Sequence, residues 1–474
     1  MSSLRPPFVS TAKIKPMVNI GALLDVPTGH WLLGQHGEHI LNGGLGTLTG
    51  ISGIANSFKS TTEDYMMLSA MDKVAANAET SGSTYDTELT RHIPRMSFIA
   101  SQFDSFKDRD IVDTGEWLLT DRLKYYANEW YEVFREFLKN KKADENSLLL
   151  DTPFIDPDTG KLFKMMPPTF TSIDSFTAFE TEDVAKIQSE NELGESGGNT
   201  IHMRQGLAKM RFMMNAPTEC ARANHYLLLT AHLGKNIDMA SGPFAGPPVK
   251  KLQFLKNGDK IKGVTDQFFF LMSNFWHIYS AVPLLNDRTK AAEYPLNSED
   301  NTPGDTDLNI ASLRQLRGKS GMTGYSIDLI ISQTYGIQPS LTEFHYIKKM
   351  DRFGLSGSTQ NYSLDIYPGV NLSRTTVRGK LDQDPKLRRA MNITSEICQM
   401  HQYMHRLIDP DILCDPKTLF NDLSNMGWNM DELLNTRGWW TLNNDKHPIP
   451  FLSSMDLLMM RDKNNPYKPY WASK

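Results

Sequence analysis

The chain has 474 residues, 40% of them apolar or aromatic, and a formal net charge of −5. That length can bury one large core plus a smaller one, and the composition excludes disordered and fibrous classes. Three scattered cysteines (Cys220, Cys398, Cys414) exclude a disulfide framework and a cysteine zinc site, which leads to the expectation of a reducing, cytoplasmic setting, while the negative charge counts mildly against nucleic-acid binding.

The first thirty residues carry prolines and little periodicity and read as an arm, with Leu4-Arg-Pro-Pro-Phe8-Val9 as its earliest apolar anchor. They lack the uncharged apolar core of a signal peptide. From His30 to about Asp365, short apolar runs alternate with helical patterns, the signature of an α/β fold. The patterning predicts strands over residues 45–51, 170–174, 226–231, 276–284 and 325–332, and a helix over 61–77. A second helix is predicted over 116–138, on the spacing of Trp117, Leu118, Leu123, Tyr126, Trp130, Val133 and Phe137. Residues 144–168 place the turn Asp156-Pro-Asp-Thr-Gly160 between apolar runs and read as an inserted β-hairpin. The longest apolar stretch, 268–285, is interrupted by Asn274, His277 and Pro283, which predicts a buried helix and strand rather than a membrane span. Residues 286–309 are polar and read as a surface loop. After Asp365 the pattern turns to helices punctuated by Asp-Pro. The expected division is an arm over 1–30, a core over 31–365 and a small, mainly helical C-terminal domain over 366–474.

The first strand leads into Gly53-Ile54-Ala55-Asn56-Ser57-Phe58-Lys59-Ser60-Thr61 and then a helix. Binding a phosphate chain takes successive backbone N–H groups, a helix N-terminus, a lysine for the β- and γ-phosphates and a hydroxyl for Mg2+. This segment has all four. It departs from the usual pattern at Phe58, where a glycine normally lets the backbone approach phosphate closely. Farther on, Thr169-Phe-Thr-Ser-Ile-Asp174-Ser175 is a strand ending in a carboxylate, able to hold Mg2+ through water beside Ser60 or to cap the following turn. Between them, Ser83-Thr-Tyr85-Asp86-Thr87-Glu88 offers two carboxylates that could polarise an attacking water. On a regular strand Asp86 and Glu88 share a face, so spacing alone does not choose between them.

Taken in order, these segments resemble the RecA-type recombinases, most closely the UvsX-like recombinases of large tailed bacteriophages. That family also ends its phosphate loop in Ser-Phe-Lys-Ser, and its second strand ends in Tyr-Asp-Ser-Glu, similar to Tyr85-Asp86-Thr87-Glu88 here. The resemblance implies a RecA-like P-loop ATPase core with a central, mostly parallel sheet, acting on ATP with Mg2+. It selects Glu88 as general base, with Lys59 on the phosphates and Ser60 and Asp174 on the metal. Leu227-Leu-Leu-Thr-Ala-His232 is similar to the strand whose terminal Gln or His senses the γ-phosphate. Arg317-Gly-Lys319-Ser320, followed by Tyr335-Gly-Ile337, resembles the last core strands, where basic residues reach the neighbouring protomer's ATP site. The similarity runs over roughly residues 15–357.

Between Lys235 and Lys262, six lysines (Lys235, Lys250, Lys251, Lys256, Lys260 and Lys262) outweigh Asp238 and Asp259, amid glycines, prolines and Phe254. Such a segment suits single-stranded DNA, since charge follows the backbone and rings stack on bases. The resemblance places the family's second DNA-contacting loop here. Its first loop would span 185–204, which is acidic through Glu190, Glu192 and Glu195 and suits DNA only near Arg204.

The function implied is a DNA-dependent ATPase: a recombinase that forms helical filaments on single-stranded DNA for pairing and strand exchange with homologous duplex DNA. The arm would join its protomers, mediator and single-strand-binding proteins would assist it, and no membrane is involved. Two alternatives would use the same residues. A hexameric helicase of this fold usually carries an N-terminal collar domain, and only about fifty residues precede the phosphate loop. A non-catalytic, nucleotide-binding filament has no need of Lys59, Ser60, Glu88 and Asp174 together. In the tail, Trp428, Trp439 and Trp440 lie close in sequence to Arg437 and could serve a partner or pack a core.

Overall fold

The computed structural model describes residues 15–190, 199–235, 253–256, 259–300, 302–319, 323–358 and 360–472. An antiparallel ribbon of β1 (Val26–Leu33) and β2 (His39–Gly44) leads into β3 (Leu48–Gly53), helix α1 (Lys59–Ala75) and β4 (Gly82–Asp86). Next come α2 (Ile93–Ala100), β5 (Trp117–Asp121), α3 (Ala127–Ala143), α4 (Glu145–Leu148), the hairpin β6 (Leu150–Ile155) and β7 (Leu162–Met165), and then β8 (Thr169–Asp174). Helices α5 (Glu182–Glu190) and α6 (Asn199–Arg222) precede β9 (His225–Lys235), on which the short β10 (Asp259–Ile261) folds back. The longest apolar stretch divides into α7 (Asp266–Leu271) and β11 (Asn274–Pro283). No helix among the described residues is long and apolar enough to cross a membrane. Antiparallel β12 (Leu308–Gly318), β13 (Ser326–Ser332) and β14 (Gly336–Ile337) then complete the main sheet.

The sheet runs β14-β13-β12-β11-β3-β9-β8-β4-β5, and from β11 to β5 every pairing is parallel. Parallel strands need long crossovers and are covered on both faces, so they read as near-continuous apolar runs such as Tyr226-Leu-Leu-Leu-Thr-Ala231. All six residues of β3 and all six of β8 are buried. The fold is therefore mixed α/β with a large, mostly parallel central sheet.

The chain continues through α8 (Pro339–Lys349) into a three-stranded sheet of β15 (Leu355–Ser358), β16 (Asn361–Leu364) and β17 (Tyr367–Leu372). Helices α9 (Val377–Gln383), α10 (Pro385–Gln399), α11 (Pro416–Asn425), α12 (Met430–Leu434) and α13 (Ser454–Met459) follow. The boundary drawn at residue 365 thus falls inside a small sheet, and the tail shares one apolar core with α1 and the N-terminal segment. Trp428 and Trp440 are buried in that core, and the Trp440 indole donates to the Met17 carbonyl oxygen at 3.1 Å.

Several expectations are corrected by packing. Of the arm drawn over 1–30, residues 1–14 lie outside the described residues. Val18, Ile20, Leu23 and Leu24 are buried core, and Ser69 and Tyr65 of α1 donate to the Ile20 carbonyl oxygen. The helix expected over 116–138 is two elements, because β4 offers Trp117–Asp121 a parallel partner strand. Trp117 is fully buried, with its indole donating to Thr84 Oγ1 at 3.0 Å. Leu123, counted there as part of an apolar face, is 80% exposed. In α3 the face that packs is Ala127, Trp130, Phe134 and Leu138. The loop over 286–309 is not wholly superficial, for Ala291, Ala292 and Tyr294 are buried and the Tyr294 hydroxyl meets His345 Nδ1 at 3.0 Å.

Candidate functional site

Parallel strands end at a common edge, and side chains just beyond that edge converge. Here Gly53 of β3 pairs with His232 of β9, and Asp174 of β8 pairs with Asp86 of β4. The segment Gly53–Ser60 therefore opens beside the strand ends that carry the predicted metal and sensor residues.

Each residue of the loop has a local reason. A Cβ on Gly53 would lie 2.5 Å from Ser57 Oγ and 3.2 Å from the Ile278 carbonyl oxygen, so only glycine fits. Phe58 takes the left-handed conformation (φ 63°, ψ 27°) at the start of α1, the geometry that glycine usually provides. Its ring packs against the core, which offsets the roughly 1–2 kcal/mol that this conformation costs a residue with a Cβ. Ser57 Oγ and Lys59 Nζ both donate to the Ile54 carbonyl oxygen at 2.7 Å. Burial lowers the Lys59 pKa from the ordinary lysine value, while Asp174 and Glu88 pull it back up.

Asp174 is fully engaged. Its Oδ2 accepts from Ser60 Oγ at 2.6 Å, and its Oδ1 accepts from Thr230 Oγ1 at 2.6 Å. The peptide bond after it, to Ser175, is cis. Arg91 approaches the same Oδ2 at 2.9 Å and also pairs with Glu63 Oε2 at 3.2 Å and with Asp64, both on α1. The Arg91 side chain is only 8% exposed. Burial pushes the Glu63 carboxyl well above its ordinary range and raises that of Asp64, with Arg91 opposing both shifts. Ser60 and Asp174 offer two oxygen ligands with the hardness Mg2+ prefers, and Mg2+ commonly takes its remaining ligands from phosphate and water.

The two acidic residues at and just beyond the end of β4 differ in their partners. Asp86 turns into its own loop: its carboxylate accepts from the backbone N–H groups of Glu88 (2.9 Å), Thr90 (2.7 Å) and Arg91 (2.7 Å). Glu88 faces the strand ends. Its Oε1 meets His232 Nε2 at 2.5 Å and accepts from Ser175 Oγ at 2.5 Å. The bond to His232 leads in holding the Glu88 carboxyl down to about 2, Ser175 adds to it, and burial opposes both.

The remaining predicted residues lie elsewhere. Arg317 pairs with Phe275, which pairs with Gly50, so it sits toward the end of the sheet opposite the Gly53–Ser60 loop. Arg317 and Lys319 donate to the Phe270 and Leu271 carbonyl oxygens at the end of α7, at 3.3 and 3.1 Å. Lys250 and Lys251 lie outside the described residues. Lys256, Lys260 and Lys262 are exposed, whereas Lys235 is ion-paired with Asp259. Of the first loop drawn over 185–204, residues 191–198 lie outside the described residues; the rest is helical, with Arg204 exposed in the opening turns of α6.

Sequence reasoning missed Arg91, Glu63, Asp64 and Thr230. Only the helical placement of Glu63 and Asp64 just after Ser60 hinted at acidic residues close to the loop. The chain matches no protein-family model and no curated protein.

Proposed function

We propose that the chain is an ATP-dependent recombinase that polymerises on single-stranded DNA. The observation that carries this reading is one constellation: Lys59, Ser60, Asp174 and the Glu88–His232 pair around the ends of β3, β8 and β9. Beyond His232, the same strand runs on into the lysine-rich segment. The loop amides and Lys59 hold the phosphates of ATP. Ser60 and Asp174 would hold Mg2+, which would neutralise charge on the phosphate oxygens. Glu88 is ionised throughout the physiological range and orients the attacking water. His232, bonded to that carboxylate, changes partner as the γ-phosphate arrives or leaves. Arg317 and Lys319, remote from their own chain's loop, serve the next protomer's site.

The test is negative-stain electron microscopy of the purified protein with single-stranded DNA, Mg2+ and a slowly hydrolysed ATP analogue. Open helical filaments along the DNA are expected; closed hexameric rings would give the site to a helicase instead. Lys319→Ala should keep ATP binding yet lose the DNA-stimulated part of turnover, a drop of about 10- to 100-fold for coupling of ordinary size. Unchanged turnover in that variant would remove the trans-acting role.

A further inference from the structure

His232 is held through its backbone as well as its ring. Its N–H donates to Thr177 Oγ1 at 3.0 Å, and its carbonyl oxygen accepts from the Lys262 N–H at 2.8 Å. Thr177 Oγ1 in turn donates to the Lys262 carbonyl oxygen at 3.2 Å. The turn after β8, the end of β9 and the exit of the lysine-rich segment are thereby tied at one point. Lys262 is also packed across Gly234, where a Cβ would fall 2.3 Å from its side chain.

Lys209, from the middle of α6, closes this knot. It is 2% exposed, and its ammonium donates to the Thr177 and Gly263 carbonyl oxygens, each at 2.7 Å, above the ring of Phe176. Desolvating an ammonium is costly unless it is hydrogen-bonded, so the two carbonyl bonds are what hold this lysine in place. Here they join α6, whose opening turns carry Arg204, to the turn beyond Asp174 and to the residue after Lys262.

We propose that Lys209 is the positioning residue that couples the nucleotide site to both DNA-facing segments. A shift of His232 on gain or loss of phosphate moves Thr177 and Lys262 through its backbone bonds. Lys209 makes α6 move with them. The lysine touches neither nucleotide nor reacting atoms. This inference rests on the recombinase reading.

The test compares wild type with Lys209→Met, which keeps the aliphatic stem and removes both bonds. ATP turnover is measured with and without a thymidine homopolymer strand, and strand affinity is measured with the ATP analogue and with ADP. The expected result is basal turnover like wild type, DNA stimulation reduced about tenfold, and nearly equal DNA affinity in the two nucleotide states. Thr177→Val removes the side-chain bonds to His232 and Lys262 but keeps the carbonyl oxygen that Lys209 uses, and should lose DNA stimulation alike; Lys209→Gln, a shorter donor that cannot span both carbonyl oxygens, replaces the methionine variant if that one does not fold. A wild type that responds to DNA beside variants that respond equally would overturn the coupling role alone. A wild type indifferent to DNA would overturn the recombinase reading itself.

Discussion

Glu88→Gln should bind ATP and single-stranded DNA like the wild type and turn over about 10²- to 10⁴-fold more slowly, the usual contribution of a positioned general base. The substitution is nearly isosteric, and the turn carrying residue 88 is built by other groups. Asp86 holds three of its backbone N–H groups, and the Thr87 N–H donates to the Asp174 carbonyl oxygen at 2.8 Å. The amide oxygen can keep the Ser175 bond, while the charge and one acceptor oxygen are lost. Phosphate release at saturating ATP reads the loss, and strand anisotropy reads the binding that remains. Turnover within about tenfold of wild type would give the base role to another residue. The pH profile is a second check. A carboxyl held down to about 2 by His232 and Ser175 is already ionised at mildly acid pH. Any acid limb of turnover near neutrality must then come from a different group and persist in Glu88→Gln.

Arg91→Met should destabilise the fold by about 3–5 kcal/mol, because it leaves Glu63, Asp64 and Asp174 without the guanidinium they share. The sign of the pH dependence follows from the raised pKa values of Glu63 and Asp64. A carboxyl whose folded pKa lies above its unfolded value binds its proton more tightly in the folded state. It costs nothing below the unfolded pKa and costs progressively more as pH rises from there toward the folded value. Removing the opposing cation extends that rise. The difference in Tm between variant and wild type should therefore be narrow in the ordinary carboxyl range and widen as pH rises above it. A difference that stays constant with pH would mean that packing of the aliphatic stem, not charge, is what Arg91 contributes.

Local pattern was enough for the elements whose periodicity and burial agree. The run that becomes β3, the loop from Gly53 to Ser60, the helix after it and the strand from Tyr226 to Ala231 are legible because each carries its signal within its own length, as a buried run, a glycine-to-lysine loop pattern or helical spacing. The same is true of Asp174 and His232, which stand at the ends of such runs. Where two readings shared one local pattern, the sequence alone was undecided. Residues 116–138 have near-helical spacing, yet β4 claims Trp117–Asp121 as a strand. Asp86 and Glu88 are equivalent on spacing, and they separate only because one meets its own loop and the other meets His232, 144 residues away. Arg91 carries no local signal at all; its meaning comes from acids 27 and 28 positions earlier and from Asp174 on another strand. Periodicity records which way a side chain faces within its own element. Charge partners, and the difference between a surface helix and an edge strand, are set by segments distant in sequence, and only the tertiary structure brings those together.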